Sequence, residues 1–315
     1  MNVLVIGGNG FIGSHLAVAL RERGNRVTVV DQFPARRDVD WRGIEYRQGS
    51  FHGDGLLNTV LPGVQQVYHL ASCTVPSSAD ADPVRDIEGN LLGTLALLSG
   101  MRRHGVRRLC YFSSGGTVYG NPKVLPVPED HPLAPISSYG IVKVAIEHYL
   151  GMFQRQGWLD PVIIRPSNPY GPGQATGGGQ GVIAVFLGKA LADQGVQIWG
   201  DGDTVRDYVF IDGVIALTLL AVDSGQCGAF NAASGVGTTL NELCASIRRN
   251  TERSLPAEYL SGRSFDVRAI VLDVSRARRI LGWVPDVGIE EGLQRTWRAL
   301  LESTGPEVVQ RWTLL

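Results

Sequence analysis

The sequence is short of several things, and each scarcity excludes something. Net charge is almost nil, with 29 Lys and Arg against 30 Asp and Glu, a formal −1 at pH 7. Without a basic excess, no nucleic-acid partner is expected. Cysteine is sparse: Cys73, Cys110, Cys227 and Cys244 stand singly, with no CxxC pair and no histidine at metal-ligand spacing. That argues against a disulfide framework and against any metal site, and predicts buried, reduced thiols. No apolar run approaches the roughly 18 residues of a membrane span. No basic-then-apolar leader precedes the first strand, so a soluble cytoplasmic protein without a membrane partner is expected. Charged residues make up only 19% of a 315-residue chain that is 44% hydrophobic. Such a chain is not disordered, and it is long enough for one large or two modest domains with a proper core.

Glycine is what the chain has in excess, 40 residues, about twice the usual share of ~7%. The glycines gather where strands end: Gly7, Gly8, Gly10 and Gly13; Gly115, Gly116 and Gly120; Gly171 and Gly173; Gly177, Gly178, Gly179 and Gly181; Gly200 and Gly202. At a strand-to-helix turn a missing Cβ lets the backbone approach a ligand. The composition points to a bound, extended cofactor.

The first half of the chain alternates between short β-branched runs and longer segments of helical period. Runs at 3–7, 26–31, 67–71, 108–114 and 161–166 read as strands. Helices are expected over 11–23, 90–103 and 138–156. Strands separated by helices of ten or more residues imply a parallel sheet covered on both faces, a doubly wound α/β domain. After Pro166 a Gly/Pro/Asn/Gln stretch runs over 167–181, too long for an ordinary connection. Beyond it come a helix, a short strand at 196–199, a helix over 213–223 and small elements, read as a smaller domain closing over a cleft.

GGNGFIG (7–13) follows the first strand directly and opens a helix, and Asp31 closes the second strand eighteen residues past Gly13. Strand, turn, helix, strand and acid in that order make a dinucleotide site, with the pyrophosphate on the helix N-terminus. Asp31 accepting from the adenosine ribose hydroxyls favours NAD over NADP, although Arg36 and Arg37 lie nearby. The alternative is that these glycines only let helix sit close on sheet. Further on, SSGGTVYG (113–120) lies just past a strand, and YGIVK sets Tyr139 and Lys143 four apart on one helical face. A phenol titrates near ~10, and an adjacent ammonium with an oxidised nicotinamide draws it toward working pH, so the pair suits proton transfer. By chance alone the same spacing would be half-buried packing.

These stretches, with HLAS (69–72), NLLGT (90–94), RPSNPYGPG (165–173), TVRDYVFIDGV (204–214) and DVSRARRILGW (273–283), resemble the extended short-chain dehydrogenase/reductase family. Within it, the chain is similar to nucleotide-sugar 4-epimerases of the UDP-glucose 4-epimerase type. The resemblance implies a Rossmann-type doubly wound parallel sheet with a smaller C-terminal α/β substrate domain. Residues 1–166 would form the NAD-binding domain, with about 206–234 returning to it, and 167–205 and 235–315 the nucleotide-sugar domain. Tyr139 would be the base and Lys143 the residue that lowers its pKa and holds nicotinamide ribose, with Ser114 and Thr117 beside them. The cofactor would be NAD, touched by Gly7, Gly10, Phe11, Ile12, Gly13, Asp31, Gln32, Ser50, Phe51, Leu70, Ala71, Ser72, Asn90, Ser113 and Pro166. Asn168, Arg206 and Arg263 would bind the substrate diphosphate, and Val182 and Gln180 the base, with Thr117 against the sugar.

Two positions depart from the family pattern. Relatives commonly carry a Ser or Thr hydroxyl where this chain has Gly115. Either Ser114 or Thr117 replaces it, or a water does, or the vacancy makes room for a bulky sugar substituent. At Ser50 and Phe51, where relatives place an acid toward the adenine, NAD contacts would rest on backbone. The implied reaction is inversion at C4 of a UDP-hexose, an N-acetylhexosamine or uronic acid equivalent, through a 4-keto intermediate. Its rivals are a 4-keto-sugar reductase or dehydrogenase, a 4,6-dehydratase, disfavoured because Gly116 and Thr117 stand where dehydratases have an Asp-Glu pair, and a non-enzymatic dinucleotide sensor. The family also implies a homodimer through a four-helix bundle of the helices at 90–103 (Leu91, Leu92, Leu95, Leu98) and 138–156 (Val142, Ile146, Tyr149, Leu150, Phe153).

Overall fold

A computed structural model describes residues 1–177, 181–262 and 267–312. In chain order it contains β1 (Asn2–Ile6), α1 (Phe11–Glu22), β2 (Arg26–Asp31), β3 (Ile44–Gln48), α2 (Asp54–Val60), β4 (Gln66–His69), α3 (Pro76–Ala81) and α4 (Pro83–Asp86). A π-helical turn, Ile87–Leu92, leads into α5 (Gly93–Arg103), followed by β5 (Arg108–Phe112), α6 (Ser138–Arg155), β6 (Asp160–Pro166) and β7 (Asn168–Tyr170). Then come α7 (Val182–Leu191), β8 (Val196–Trp199), β9 (Val205–Phe210), α8 (Ile211–Asp223), β10 (Gly228–Ala232) and β11 (Gly237–Thr239). The chain continues through α9 (Leu240–Thr251), β12 (Ala257–Leu260), β13 (Ala269–Ile270), α10 (Ser275–Leu281) and α11 (Ile289–Trp312).

Seven strands pair in the order β10-β6-β5-β4-β1-β2-β3, all parallel. The central strands β1, β4 and β5 are buried almost throughout, as a sheet covered on both faces requires. One face packs on α1 and α8 through Leu16, Leu20, Leu217 and Ala221, the other on α2, α5 and α6 through Leu57, Leu97, Leu98 and Ile146. The strand order reverses between β1 and β4, which opens a crevice beyond their carboxyl ends. This is the Rossmann-type doubly wound α/β fold.

β9 is the spine of a smaller sheet, with β7 and β13 parallel to it and β11 antiparallel, while β8 and β12 form a separate ribbon. The 206–234 segment divides accordingly: β9 stays in the small sheet, α8 covers the large one, and β10 pairs with β6 at its edge. The expected helix over 90–103 starts as the π-helical turn and becomes regular only at Gly93. Of the cysteines expected to be buried, Cys110 and Cys244 are; Cys73 and Cys227 are half-buried. Among the described residues no helix is long and apolar enough to cross a membrane, and no cluster of His, Cys, Asp or Glu suits a metal ion.

Candidate active site

A cleft of about 1100 Å³ runs from the carboxyl ends of β1 and β2, past α6, to α7, β8 and β9. At its first end the three motif glycines have separate duties. Gly7 has a φ of +81°, and a Cβ there would lie 2.5 Å from the Ala71 amide. A Cβ on Gly13 would stand 2.2 Å from the Gly7 carbonyl, so that glycine lets α1 sit on the turn. Gly10 differs, since its Cβ would meet only the Gly7 oxygen at 3.5 Å. The protein itself leaves that space open, as a backbone would that a pyrophosphate must approach. Gly10 caps α1 without a side-chain bond, and no acid occupies the first turn, so the helix presents bare amides to an anion.

Asp31 and Gln32 continue the wall. Asp31 accepts from the amides of Asn9 (3.0 Å) and Phe33 (3.1 Å), which fixes its carboxylate at the cleft edge. Arg36 is engaged with Asp38 and, at 2.7 Å, with the Gly173 carbonyl. Ser50 and Phe51 line the same end, and the Ser50 hydroxyl lies 2.7 Å from His52 Nδ1. Phe11, Ile12, Leu70, Ala71, Ser72, Ser113 and Pro166 complete the wall, the Ser113 hydroxyl already donated to Glu147 at 2.5 Å. Asn90, expected among the cofactor contacts, is not part of the cleft lining. Its amide donates to Thr74 and Asp86 (2.8 and 2.7 Å), and its carbonyl accepts from the Cys73 N–H. These surroundings fit a dinucleotide of the NAD type.

Tyr139 and Lys143 enter the cleft from the first two turns of α6, a helix started by the Ser137 hydroxyl accepting from the Gly140 N–H. The Lys143 ammonium lies 4.9 Å from the Tyr111 ring centroid and 5.4 Å from that of Tyr139, and donates to the Phe112 carbonyl at 2.9 Å. Burial brings Lys143 down to about 8, against the charges of Asp86 and Glu147, which favour the cation. Desolvation pushes the Tyr139 phenol up to about 12, with Asp86 adding to it and a hydrogen bond with Ser72 opposing it. In the protein alone desolvation thus dominates the phenol, and the Lys143 ammonium is directed at a main-chain carbonyl.

Gly115 brings a correction. A Cβ there would fall 2.4 Å from a Leu272 methyl and about 3 Å from the Arg165 carbonyl. The space is filled by protein, so Gly115 gives the cleft neither room nor a vacancy. Ser114 and Thr117 do line the cleft, and the Thr117 hydroxyl is buried with no partner, a donor directed at nothing the protein supplies.

At the far end Asn168, Val182 and Arg206 line the cleft, while Gln180 and Arg263 lie outside the described residues. The residue that sequence reasoning missed is Asp207. Its fully buried carboxylate accepts from the Ser167 and Ser234 hydroxyls and from the amides of Ser234, Gly235 and Leu272, at 2.7 to 3.3 Å. Its carbonyl takes the Asn168 amide at 2.9 Å. One signal was present, a carboxylate inside the apolar strand that follows Arg206. Tyr208 and Gln174 add further unpartnered buried polar atoms among the residues that line this end.

The family model described as "NAD dependent epimerase/dehydratase family" matches residues 3–233. The chain is 37% identical over 305 residues to a UDP-glucose 4-epimerase of Mycolicibacterium smegmatis, covering 94% of this chain and 97% of that one. A UDP-glucose 4-epimerase of Thermotoga maritima, solved with UDP-glucose, superposes with a TM-score of 0.93 at 37% identity, over 97% of this chain and 100% of that one. The UDP-glucose 4-epimerase of Thermus thermophilus, solved with NAD, gives 0.89 at 32% identity, over 95% and 98%.

Proposed function

The chain belongs to the NAD dependent epimerase/dehydratase family, and on that footing we propose that it inverts C4 of a UDP-activated hexose with NAD as its cofactor. The observation that carries this reading is a single cleft with a dinucleotide cradle at one end, a polar wall at the other, and Tyr139 and Lys143 between them. NAD, when bound, supplies a hydride acceptor for C4 and, in its oxidised form, a positive charge beside the phenol. Gly10 and the bare first turn of α1 hold the pyrophosphate, and Asp31 takes the adenosine ribose hydroxyls. Gly7 and Gly13 shape the turn, and the cleft-lining residues from Phe11 to Pro166 named above bound the cofactor.

Tyr139 removes the proton of the C4 hydroxyl and, once the hexose has turned, returns it to the C4 oxygen, while the hydrogen on C4 itself is the one that ends on the opposite face of the sugar. Lys143 keeps a cation against the nicotinamide ribose, where it favours the phenolate. Thr117, with its unpartnered hydroxyl, takes the place of the usual serine or threonine and bonds the sugar, and Ser114 supports it. Asn168, Arg206 and Arg263 hold the diphosphate while the hexose turns, and Val182 and Gln180 hold the base. Residues 1–166 with α8 and β10 act as the cofactor unit, and the remainder as the sugar unit.

We further propose a cytoplasmic homodimer through α5 and α6. Leu98, Val142, Ile146 and Leu150 are spent on the sheet, but Leu92, Ile141 and Tyr149 remain exposed along the same helices. The test of the reaction is Tyr139→Phe with UDP-glucose and UDP-galactose in both directions. Conversion is expected to fall about 10³-fold with NAD still bound. Near-normal turnover would remove Tyr139 from the mechanism.

A further inference from the structure

We propose that Asp86 is a positioning residue for this reaction: from behind the cleft wall its carboxylate ties the loop after β4 to the first turn of α6, and so sets where Tyr139 stands. The proposal rests on the reading of Tyr139 as the base.

Asp86 ends α4 with none of its surface exposed, and it is not part of the cleft lining. All its side-chain hydrogen-bond partners are neutral. Oδ1 accepts from the Thr74 hydroxyl and the Asn90 amide, both at 2.7 Å, and Oδ2 from the Ser138 hydroxyl at 2.9 Å. A buried charge held only by hydroxyls and an amide is a costly element of a fold. Each of those partners touches the site. Thr74 lines the cleft, and its carbonyl accepts from Ser72, which bonds Tyr139. Ser138 immediately precedes Tyr139, and Asn90 holds the amide of Cys73 in the same loop. The Asp86 carboxylate thus joins the two sides between which the phenol lies, alongside Asp80 of α3, which accepts from the Ser138 N–H at 2.7 Å.

The charge also acts through space. It favours the Lys143 ammonium, which burial alone would bring lower still, and it disfavours the Tyr139 phenolate. The other groups facing this pair are Glu147 on α6 and Cys73 on the loop, which favour the lysine's charge, and Tyr111 on β5 and His69 on β4. Burial holds those last two neutral, Tyr111 pushed well up and His69 brought down to about 3. Asp86 and Glu147 are the acids of the set, and Glu147 is already paired with Arg165 at 2.6 Å.

The experiment measures kcat and KM for UDP-glucose across pH in Asp86→Asn and Ser138→Ala, with bound NAD and the thermal midpoint followed in parallel. Asp86→Asn is expected to keep NAD and KM within about threefold while kcat falls about 10²-fold. Its acid limb of kcat should move about one unit to lower pH, because the phenol loses a like charge. Ser138→Ala should lower kcat without moving the limb. An Asp86→Asn enzyme with kcat within twofold and an unmoved limb overturns the proposal. If that variant does not fold, Ser138→Ala and Thr74→Val carry the test: a fall in kcat at constant KM supports it, and unchanged kcat overturns it. Tyr139→Phe run alongside separates the two readings, since a dead Tyr139→Phe beside an unaffected Asp86→Asn removes only the role of Asp86.

Discussion

Between Gly7 and Ser72 the cleft is walled largely by backbone, shaped by glycines and by the amides of one helix, whereas between Asn168 and Leu240 it is walled by side chains hung on a small sheet. The first wall is local, since its tightest contact, Gly13 on Gly7, spans one turn. The second depends on Asp207, which gathers donors from residues as distant in sequence as Ser167, Ser234 and Leu272. A backbone wall is therefore sensitive to an added Cβ, and a side-chain wall to the loss of one buried acceptor.

The most damaging test of this contrast is Asp207→Asn, which turns donors onto donors and is expected to cost about 4 kcal/mol in denaturant unfolding. UDP-sugar affinity should be lost first. Gly13→Ala should cost about 3 kcal/mol, because its Cβ would meet the Gly7 carbonyl at 2.2 Å. If both variants lose NAD and UDP-sugar together, the two walls form one cooperative unit and the contrast fails. Gly10→Ala sharpens it: the unfolding midpoint should hold while the NAD Kd rises about tenfold, a shift of about 1.4 kcal/mol, read by calorimetry.

The smallest effect concerns pH. Lys143, brought down to about 8 by burial, is protonated below that pH and loses its charge above it, so turnover should decline on the alkaline side with an apparent pKa near 8. Lys143→Arg, whose guanidinium does not titrate there, should show a flat alkaline limb whatever its absolute rate. A retained limb would assign that titration to another group.

The same contrast explains what could be read from residue order alone. Turn glycines, the acid ending β2 and a Tyr-Lys pair on one helical face are short-range patterns, and each placed its residues on the cleft. Asn90 followed from the family resemblance, and residue order could not show that its amide is spent on Thr74 and Asp86. Gly115 misled because the group that fills its space, Leu272, comes from far along the chain. Asp207 and Asp86 were passed over because their importance lies in partners brought together by folding. No local period announces such a partner.

Gly10 also has a meaning for descent. Nothing in the protein forbids a side chain there, so only the ligand maintains that glycine, whereas packing maintains Gly13. A descendant that had stopped carrying a dinucleotide could drift at the first position and still be obliged to keep the second, so abandonment of the trade would be written in the chain before any decay of its architecture.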